Sequence, residues 1–347
     1  MVRDRAERPG LLLLIPTRPE PRWYRRKSNR NWGPVNYFDR TNRADALSGG
    51  VRMIPVTTPC GTFNVWTKRV GNNPALKVLL LHGGPGATHD YFEAFDSFLP
   101  EAGVEYYYYD QLGSGRSDRP EDDELWDLDR FVDEVDQVRE ALGLGPDNLI
   151  LLGHSWGGIL AMEYAIRHGD RLKAVVISNM MSSAPAYSTY ASDVLIPQMP
   201  AEDLAEIRAI EAARDFANPR YMELLVRSYY VEHVLRMAPE AWPEPVNYAF
   251  ANINYPCYLK MQGPSELGMW PEATLATWDR TDDLHQIAVP ALVLGGRYDT
   301  MDPTFLEMMA TKMPQGSSFI CEQGSHMALY DDQDAYFGAL IAFLKGL

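Results

Sequence analysis

The feature that most constrains this chain of 347 residues is a glycine-bounded serine between a strand pattern and a helix pattern. The largely apolar residues 148–152 predict a buried strand, Gly153-x-Ser155-x-Gly157 follows at once, and apolar residues recur at helical spacing over 159–166. A tight turn there holds the serine in a strained conformation, and the glycines leave room for neighbouring backbone. The pattern predicts a serine hydroxyl beside the free N–H groups of a helix N-terminus. The alternative is a chance match in a loop.

Strand and helix patterns alternate on both sides of this serine. Further buried strands are predicted at 77–81, 104–109, 174–178, 291–294 and 317–321, and further helices at 128–142, 305–313 and 335–344. Buried strands that alternate with helices indicate a mostly parallel sheet covered on both faces. The expected fold class is therefore α/β.

The alternation stops between residues 184 and 289, where helical patterns at 201–217 and 219–236 stand among loops rich in Pro, Tyr and Trp. We expect this segment to form a helical cap inserted into a core of residues 51–183 and 290–347. Residues 1–50 are rich in Arg, Pro, Asn and Trp without periodicity, which favours an N-terminal arm docked by its aromatic side chains.

Composition excludes several classes of partner. A net charge of −15 argues against nucleic acid and anionic membrane surfaces. The three cysteines, at positions 60, 257 and 321, have neither disulfide nor metal-ligand spacing, so we expect no metal, no cofactor and a reducing, cytoplasmic location. The apolar run 11–15 is too short to span a bilayer, and a degenerate export signal is the alternative interpretation of this segment.

A serine hydroxyl needs a base, and the base needs a carboxylate that orients it. Of the seven histidines, only His326 follows a late strand, at the carboxyl edge of the sheet where catalytic groups gather. Asp299 has the equivalent place one strand earlier. The alternatives are a surface histidine in a loop and an aspartate that caps the next helix, although Asp302 is also placed to form that cap.

Stabilising a negatively charged carbonyl oxygen requires two backbone N–H donors, together called an oxyanion hole. One donor is expected from Trp156, directly after the serine. The other is expected from the loop after the strand that ends at Leu81, where Gly84 is the natural candidate.

Longer motifs surround these residues: His82-Gly83-Gly84-Pro85-Gly86, Asp110-Gln111-x-Gly113-x-Gly115-Arg116-Ser117 and Gly153-His154-Ser155-Trp156-Gly157-Gly158. Together with Asp299 and His326, they resemble the proline iminopeptidase family of α/β-hydrolases, most closely the tricorn-interacting aminopeptidase type. The resemblance extends from about residue 51 to the end. It implies an α/β-hydrolase fold and a metal-free serine enzyme that releases an N-terminal residue from short peptides, amino-acid amides or arylamides through an acyl-enzyme.

The resemblance also implies that acidic side chains reached from the cap bind the free α-ammonium group of the substrate. Residues 261–266 resemble the segment that supplies one of them, which makes Glu266 the candidate; a solvated cap residue is the alternative. In close relatives of this type a second glutamate follows the triad aspartate, whereas this chain has Thr300. That departure predicts a weaker ammonium site and puts strict exopeptidase specificity in doubt.

Two other functions remain open from the sequence. The same Ser-Asp-His set would serve an esterase or lactonase, which differs in needing no free amine. The third hypothesis is a non-catalytic ligand-binding protein with a hydrolase fold. The intact order Ser155, Asp299, His326 argues against it, because a protein that only binds a ligand needs no catalytic triad.

Overall fold

The computed structural model describes residues 50–347, and an eight-stranded sheet runs through the middle of them in the order β1-β2-β4-β3-β5-β6-β7-β8. The first two strands pair antiparallel, β2 is antiparallel to β4, and every pair from β4 to β8 is parallel. The strands are β1 Val51–Thr58, β2 Gly61–Val70, β3 Lys77–Leu81, β4 Glu105–Asp110, β5 Leu149–His154, β6 Ala174–Ser178, β7 Ala291–Gly296 and β8 Gly316–Cys321. The predicted arm and export signal lie outside the described residues, apart from Gly50.

Helices cover both faces of the sheet. The α-helices are α1 Leu99–Ala102, α2 Leu128–Ala141, α3 Trp156–His168, α4 Ala184–Tyr190, α5 Ala201–Ala213, α6 Pro219–Leu225, α7 Val231–His233, α8 Glu244–Ala251, α9 Tyr255–Met261, α10 Pro303–Lys312, α11 Ala328–Asp331 and α12 Gln333–Gly346. Short 3-10 helices lie at His89–Ser97, Asp123–Leu125, Gly169–Arg171, Ile196–Gln198, Pro239–Ala241 and Leu284–Gln286, and π-helical turns at Ala191–Leu195 and Val226–Tyr230. Among residues 50–347, no helix is long and apolar enough to cross a membrane.

The central strands are largely apolar because helices cover both of their faces. Every residue of β3, β5, β6 and β7 is buried. Side chains alternate between the faces, so Leu151 packs in one core with α3 residues such as Ile159, whereas Leu152 packs in the other with α12 residues such as Leu340. The structure thus confirms the predicted α/β architecture.

Two predicted cap helices differ from their patterns. Helix α5 ends at Ala213 because Arg214 has a left-handed backbone, with φ 53°. The pattern at 219–236 is divided into α6, a π-helical turn and α7, which ends at His233. The carbonyl of His233 accepts a hydrogen bond from the backbone N–H of His326 at 3.0 Å, so a contact with the core takes the place of further helix.

We use the name cap for residues 184–289. The chain enters this segment at Ala184 and returns to the same point at residues 278–280, where Ala184 N–H donates to the carbonyl of Trp278 and Arg280 N–H donates to that of Ser182, both at 2.8 Å. The last part of the segment, Leu284–Gln286, already contacts the core helices α3 and α10. A short bridge between Ser183 and Asp279 closes the same point. The cap is therefore joined to the sheet through the junction between β6 and β7.

Glu163 of helix α3 holds this junction to the core by hydrogen bonds to its residues. Its buried carboxylate accepts hydrogen bonds from Trp278 Nε1 at 2.7 Å and Arg280 Nε at 2.6 Å, and it forms an ion pair with Arg167 at 2.8 Å. Burial on its own would raise the pKa of Glu163, but Arg280, Trp278 and Arg167 outweigh it, so the pKa is lowered. The carboxylate is thus held in its charged form.

Replacing Glu163 by Ala should lower the free energy of unfolding by about 2–4 kcal/mol, because it leaves the buried indole N–H of Trp278 without its acceptor. It also leaves Arg167 and Arg280 with only their more exposed partners, Asp129 and Asp283. Urea unfolding measures the change. Glu307 on α10 is exposed and forms no ion pair within the described chain, so Glu307→Ala is the matched control and should change stability by less than about 0.5 kcal/mol. Equal losses in the two variants would contradict the assigned role of Glu163.

Candidate active site

The serine lies on a sharp turn between β5 and α3. Ser155 has φ 56° and ψ −127°, and its N–H donates to the carbonyl of Ser178 at 3.0 Å. A methyl group on Gly153 would lie 1.8 Å from the carbonyl oxygen of Gly157, and one on Gly157 would lie 2.0 Å from that of Leu81. Both positions therefore require glycine, and the serine keeps a backbone conformation that few non-glycine residues adopt.

A buried histidine–aspartate pair stands at the same edge of the sheet. His326, in the loop after β8, donates from Nδ1 to Asp299 Oδ1 at 2.8 Å. Asp299, after β7, also accepts from Asn179 Nδ2 at 2.6 Å and from the N–H of Met301 at 3.1 Å. These donors all favour the ionised carboxylate, which in turn fixes the proton of the His326 ring on Nδ1.

The charges of the pair shift both pKa values. Burial by itself would raise the pKa of Asp299, but the charge of His326 and the hydrogen bonds outweigh it, and the pKa is lowered. Burial would likewise lower the pKa of His326, but the charge of Asp299 and, to a smaller extent, that of Glu266 raise it above its usual value. The charged state of each partner supports that of the other.

Thr300 and Asp302 have roles that differ from an ammonium site. Thr300 is buried away from the cavity described below, and its hydroxyl lies 3.3 Å from Asp299 Oδ1 and 3.2 Å from His326 Nδ1. Asp302 caps helix α10 by accepting a hydrogen bond from Thr304 N–H at 2.9 Å. The helix cap that was the alternative role of Asp299 is thus formed by Asp302.

A cavity of about 360 Å³ brings together Gly84, Ser155, Glu266 and His326. Asp299 does not line it and reaches it only through His326. Within the described residues, no hydrogen bond joins the Ser155 hydroxyl to the His326 ring, although both line the cavity. The rest of the cavity wall is largely apolar, and its cap part consists of Met222, Val226, Tyr230, Val234, Trp242, Asn247, Phe250, Ala251, Ile253, Tyr255, Tyr258 and Pro264.

Glu266 contributes the only carboxylate in the wall of this cavity, as far as the described residues go. Tyr258 donates its hydroxyl to Glu266 Oε1 at 2.6 Å, and Tyr187 donates to the Glu266 carbonyl oxygen at 2.9 Å. No Lys, Arg or His of residues 50–347 forms an ion pair with it. A carboxylate held by neutral hydroxyls and lacking a counter-cation is suited to bind a cationic group of a ligand.

The two expected oxyanion donors come from the loop after β3 and from the residue directly after the serine, and of the two only Gly84 lines the cavity. Trp156 supplies the first N–H of helix α3, and in the described chain neither this group nor the N–H of Gly84 has an acceptor. The loop that carries Gly84 is close to the serine, because a methyl group on Gly83 would lie 2.9 Å from Ser155 Cβ. The N–H of Gly83 is engaged elsewhere, as a donor to Tyr91 at 2.7 Å.

Sequence reasoning missed Asn179, Tyr91 and Tyr258. Asn179 had a usable signal, since it is a polar residue directly after the apolar strand β6 and at the same edge as Asp299. The two tyrosines had none, because nothing in the sequence separates them from the other tyrosines among the 19 in the chain.

Within residues 50–347, two groups of side chains have the spacing of metal ligands: Cys60 with Asp122 and Glu124, and His89 with Asp90 and Glu93. None of these residues lines the cavity. In the second group His89 Nδ1 is bonded to Asp110 at 2.8 Å and Asp90 is paired with Arg116 at 3.2 Å, so ligand atoms already have partners.

Residues 77–333 match the family model described as alpha/beta hydrolase fold. A curated proline iminopeptidase from Elizabethkingia meningoseptica is 53% identical over 293 residues, which cover 84% of this chain and 97% of that protein. The chain belongs to the proline iminopeptidase family of α/β-hydrolases. The solved proline iminopeptidase of Mycobacterium smegmatis has a TM-score of 0.72 and 29% identity, covering 85% of this chain and 98% of its own. The solved structure of VinJ has a TM-score of 0.77 and 31% identity, and the match covers 84% of this chain and 98% of the VinJ chain. The expected family and fold are confirmed.

In this proline iminopeptidase relative, Asp299→Asn should lower the pKa of His326, because burial, which lowers that pKa, would then lack its main opposing charge. Titration of the histidine ring signals by NMR measures the shift. Asp302→Asn is the control, since Asp302 caps α10 and makes no hydrogen bond to His326. An unchanged pKa in Asp299→Asn would show that this aspartate does not interact with the charged ring.

Proposed function

We propose that this chain is a serine aminopeptidase that removes an N-terminal residue, such as proline, from short peptides, amides or arylamides. One observation supports it above the others: a single cavity contains a strained serine, a histidine paired with a buried aspartate, and a carboxylate that lacks a cation. A nucleophile with its base and an ammonium site in reach of each other are what hydrolysis of a free-amino substrate requires. The curated relative at 53% identity is a proline iminopeptidase.

In the proposed mechanism, Ser155 Oγ attacks the substrate carbonyl while His326 Nε2 takes the hydroxyl proton. Asp299 keeps the other ring proton on Nδ1 and stabilises the imidazolium. The N–H groups of Gly84 and Trp156 bind the oxyanion of the tetrahedral intermediate. His326 then gives its proton to the leaving amine, the C–N bond breaks, and water attacks the acyl-enzyme with His326 again acting as base.

The cap is proposed to supply specificity. Glu266 binds the α-ammonium group, and the aromatic and aliphatic residues of the cavity wall surround the side chain of the N-terminal residue. Because Thr300 replaces the second glutamate of close relatives and lies buried behind His326, the ammonium site has one carboxylate here. Tyr258 and Tyr187 keep that carboxylate in place, which compensates in part for the missing charge.

We further propose a cytoplasmic enzyme whose partners are small peptide substrates. The three cysteines support this location, since Cys60, Cys257 and Cys321 are all free thiols. The esterase and lactonase reading gains no support from the relatives compared above, and the free carboxylate at Glu266 has no purpose for a substrate without an amine. Rates on an aminoacyl arylamide and on an N-blocked ester of the same residue distinguish these functions.

Ser155→Ala should fold normally and lose turnover by a factor on the order of a million, because no other serine, threonine or cysteine of residues 50–347 lines the cavity. A fluorophosphonate probe should label the wild-type protein and fail to label the variant. Ser318→Ala, on the exposed part of β8, is the control for loss of a serine and should match the wild type in both assays. Persistent activity of Ser155→Ala on a proline arylamide would refute the proposed function.

Glu266→Gln tests the ammonium site, because it keeps the shape of the side chain and removes its charge. A charge-assisted hydrogen bond is worth about 1.5–3 kcal/mol, so kcat/KM for free-amino substrates should fall roughly ten- to a hundredfold. Esters of N-acetylated residues never use the contact and should react at nearly the wild-type rate.

The control for the Glu266 variant is Glu240→Gln, an exposed cap glutamate that lies outside the cavity wall. The ratio between the two substrate classes decides the outcome, since general damage to the cap lowers both. Equal losses of kcat/KM on free-amino and N-acetylated substrates would show that Glu266 does not bind the ammonium group.

A further inference from the structure

We infer that Gln111 is a positioning residue that holds the two halves of the oxyanion hole at a fixed separation. The inference rests on the proposed function, in which Gly84 and Trp156 are the two donors. Gln111 directly follows β4, at the carboxyl edge of the sheet, and is buried. It does not line the cavity, so it acts on the reaction only through the residues it contacts.

The side-chain amide of Gln111 joins the two halves directly. Its Nε2 donates to the carbonyl oxygen of His82 at 3.0 Å, and its Oε1 accepts from the indole Nε1 of Trp156 at 2.9 Å. The orientation of the amide follows from chemistry, because a backbone carbonyl can only accept and an indole N–H can only donate. One planar amide group is therefore hydrogen-bonded both to the loop that leads to Gly84 and to the side chain of Trp156.

A third bond holds Gln111 against the same loop. Its backbone N–H donates to His82 Nε2 at 3.1 Å, and His82 Nδ1 in turn donates to the carbonyl of Gly83 at 2.9 Å. Burial lowers the pKa of His82 to about 4, so the ring is neutral near pH 7 and its Nε2 remains an acceptor. Gln111 thus contacts both the backbone and the ring of the residue two positions before Gly84.

The position of the Trp156 ring matters because this residue also begins helix α3. Its indole packs edge-on against Phe131 at 5.3 Å between ring centroids, and Gln111 makes its polar contact. An oxyanion hole works when its donors point at the place where negative charge develops, and small displacements are costly. Losing the amide bridge should let the Gly84 loop and Trp156 move apart and weaken binding of the transition state more than binding of the substrate.

Two variants remove the bridge from opposite sides. Gln111→Met keeps the length of the side chain and removes both of its side-chain bonds, and Trp156→Phe removes only the indole donor. Each should lower kcat about ten- to a hundredfold on a proline arylamide with little change in KM. Because both variants break the same bridge, the double variant should lose much less than the product of the two single losses.

A second readout separates positioning from a merely structural role. An aldehyde analogue of proline forms a tetrahedral adduct with a serine and places an oxyanion in the hole, whereas the corresponding alcohol cannot. In both variants the inhibition constant of the aldehyde should rise by the same factor as kcat falls, and that of the alcohol should stay unchanged. A structural defect of the cavity would weaken both inhibitors.

Gln137 provides a matched control. Its side-chain amide also bonds two backbone groups, the N–H of Thr57 at 2.7 Å and its carbonyl at 3.0 Å, but on the exposed side of α2. Gln137→Met should therefore keep the wild-type kcat. Circular dichroism and thermal unfolding confirm that each variant is folded, and Trp156→Phe gives the test on its own if Gln111→Met does not fold.

A wild-type kcat in folded Trp156→Phe or Gln111→Met would overturn the inference, as would equal weakening of the aldehyde and the alcohol. Such results leave the proposed function intact as long as the wild type cleaves the arylamide and fluorophosphonate labels Ser155. Failure of the wild type in those two assays would instead refute the proposed function itself.

Discussion

The site depends on the close contact of three backbone segments around Ser155. Strand β5, the first turn of α3 and the end of β3 approach so closely that a methyl group on Gly157 would lie 2.0 Å from the carbonyl oxygen of Leu81. The same approach puts the Gly83 backbone beside the serine side chain. Ser155, the proposed nucleophile, and the loop that carries Gly84, a proposed oxyanion donor, are therefore brought together by the absence of side chains at these glycines.

Hydrogen bonds between neutral groups then connect Ser155 and its neighbours with the loop that carries His326, the proposed base. Gly83 N–H donates to Tyr91, whose hydroxyl lies 3.1 Å from His154 Nδ1, and His154 Nε2 lies 2.8 Å from the carbonyl of His326. That carbonyl can only accept, so Nε2 carries the proton and Nδ1 accepts from Tyr91. Burial lowers the pKa of His154 to about 3, which keeps the ring neutral.

Much of the fold and of the candidate site could be predicted from the sequence, because the signals that indicate them lie within short stretches of the chain. The strand and helix around Ser155 follow from short-range periodicity, and the places of Asp299 and His326 follow from counting strands that end at one edge. Glu266 came from the family resemblance. The bridge at Gln111 could not be predicted, because its partners are distant in the chain: His82 lies 29 residues before it and Trp156 lies 45 residues after it. The replacement at Thr300 was visible, but its burial behind His326 was not.

The division between core and cap is less strict than the sequence suggests. The core carries Ser155, His326 and the proposed oxyanion donors, and the cap carries Glu266 with Tyr258 and Tyr187. Yet the last carbonyls of the α7 region, at His233 and Val234, accept the backbone N–H groups of His326 and Met327 at 3.0 and 2.8 Å. His326 is thus held partly by the cap. In the proposed mechanism, a cap that shifts to admit a different N-terminal residue would also move the support of His326, and substrate selection would then be coupled to turnover.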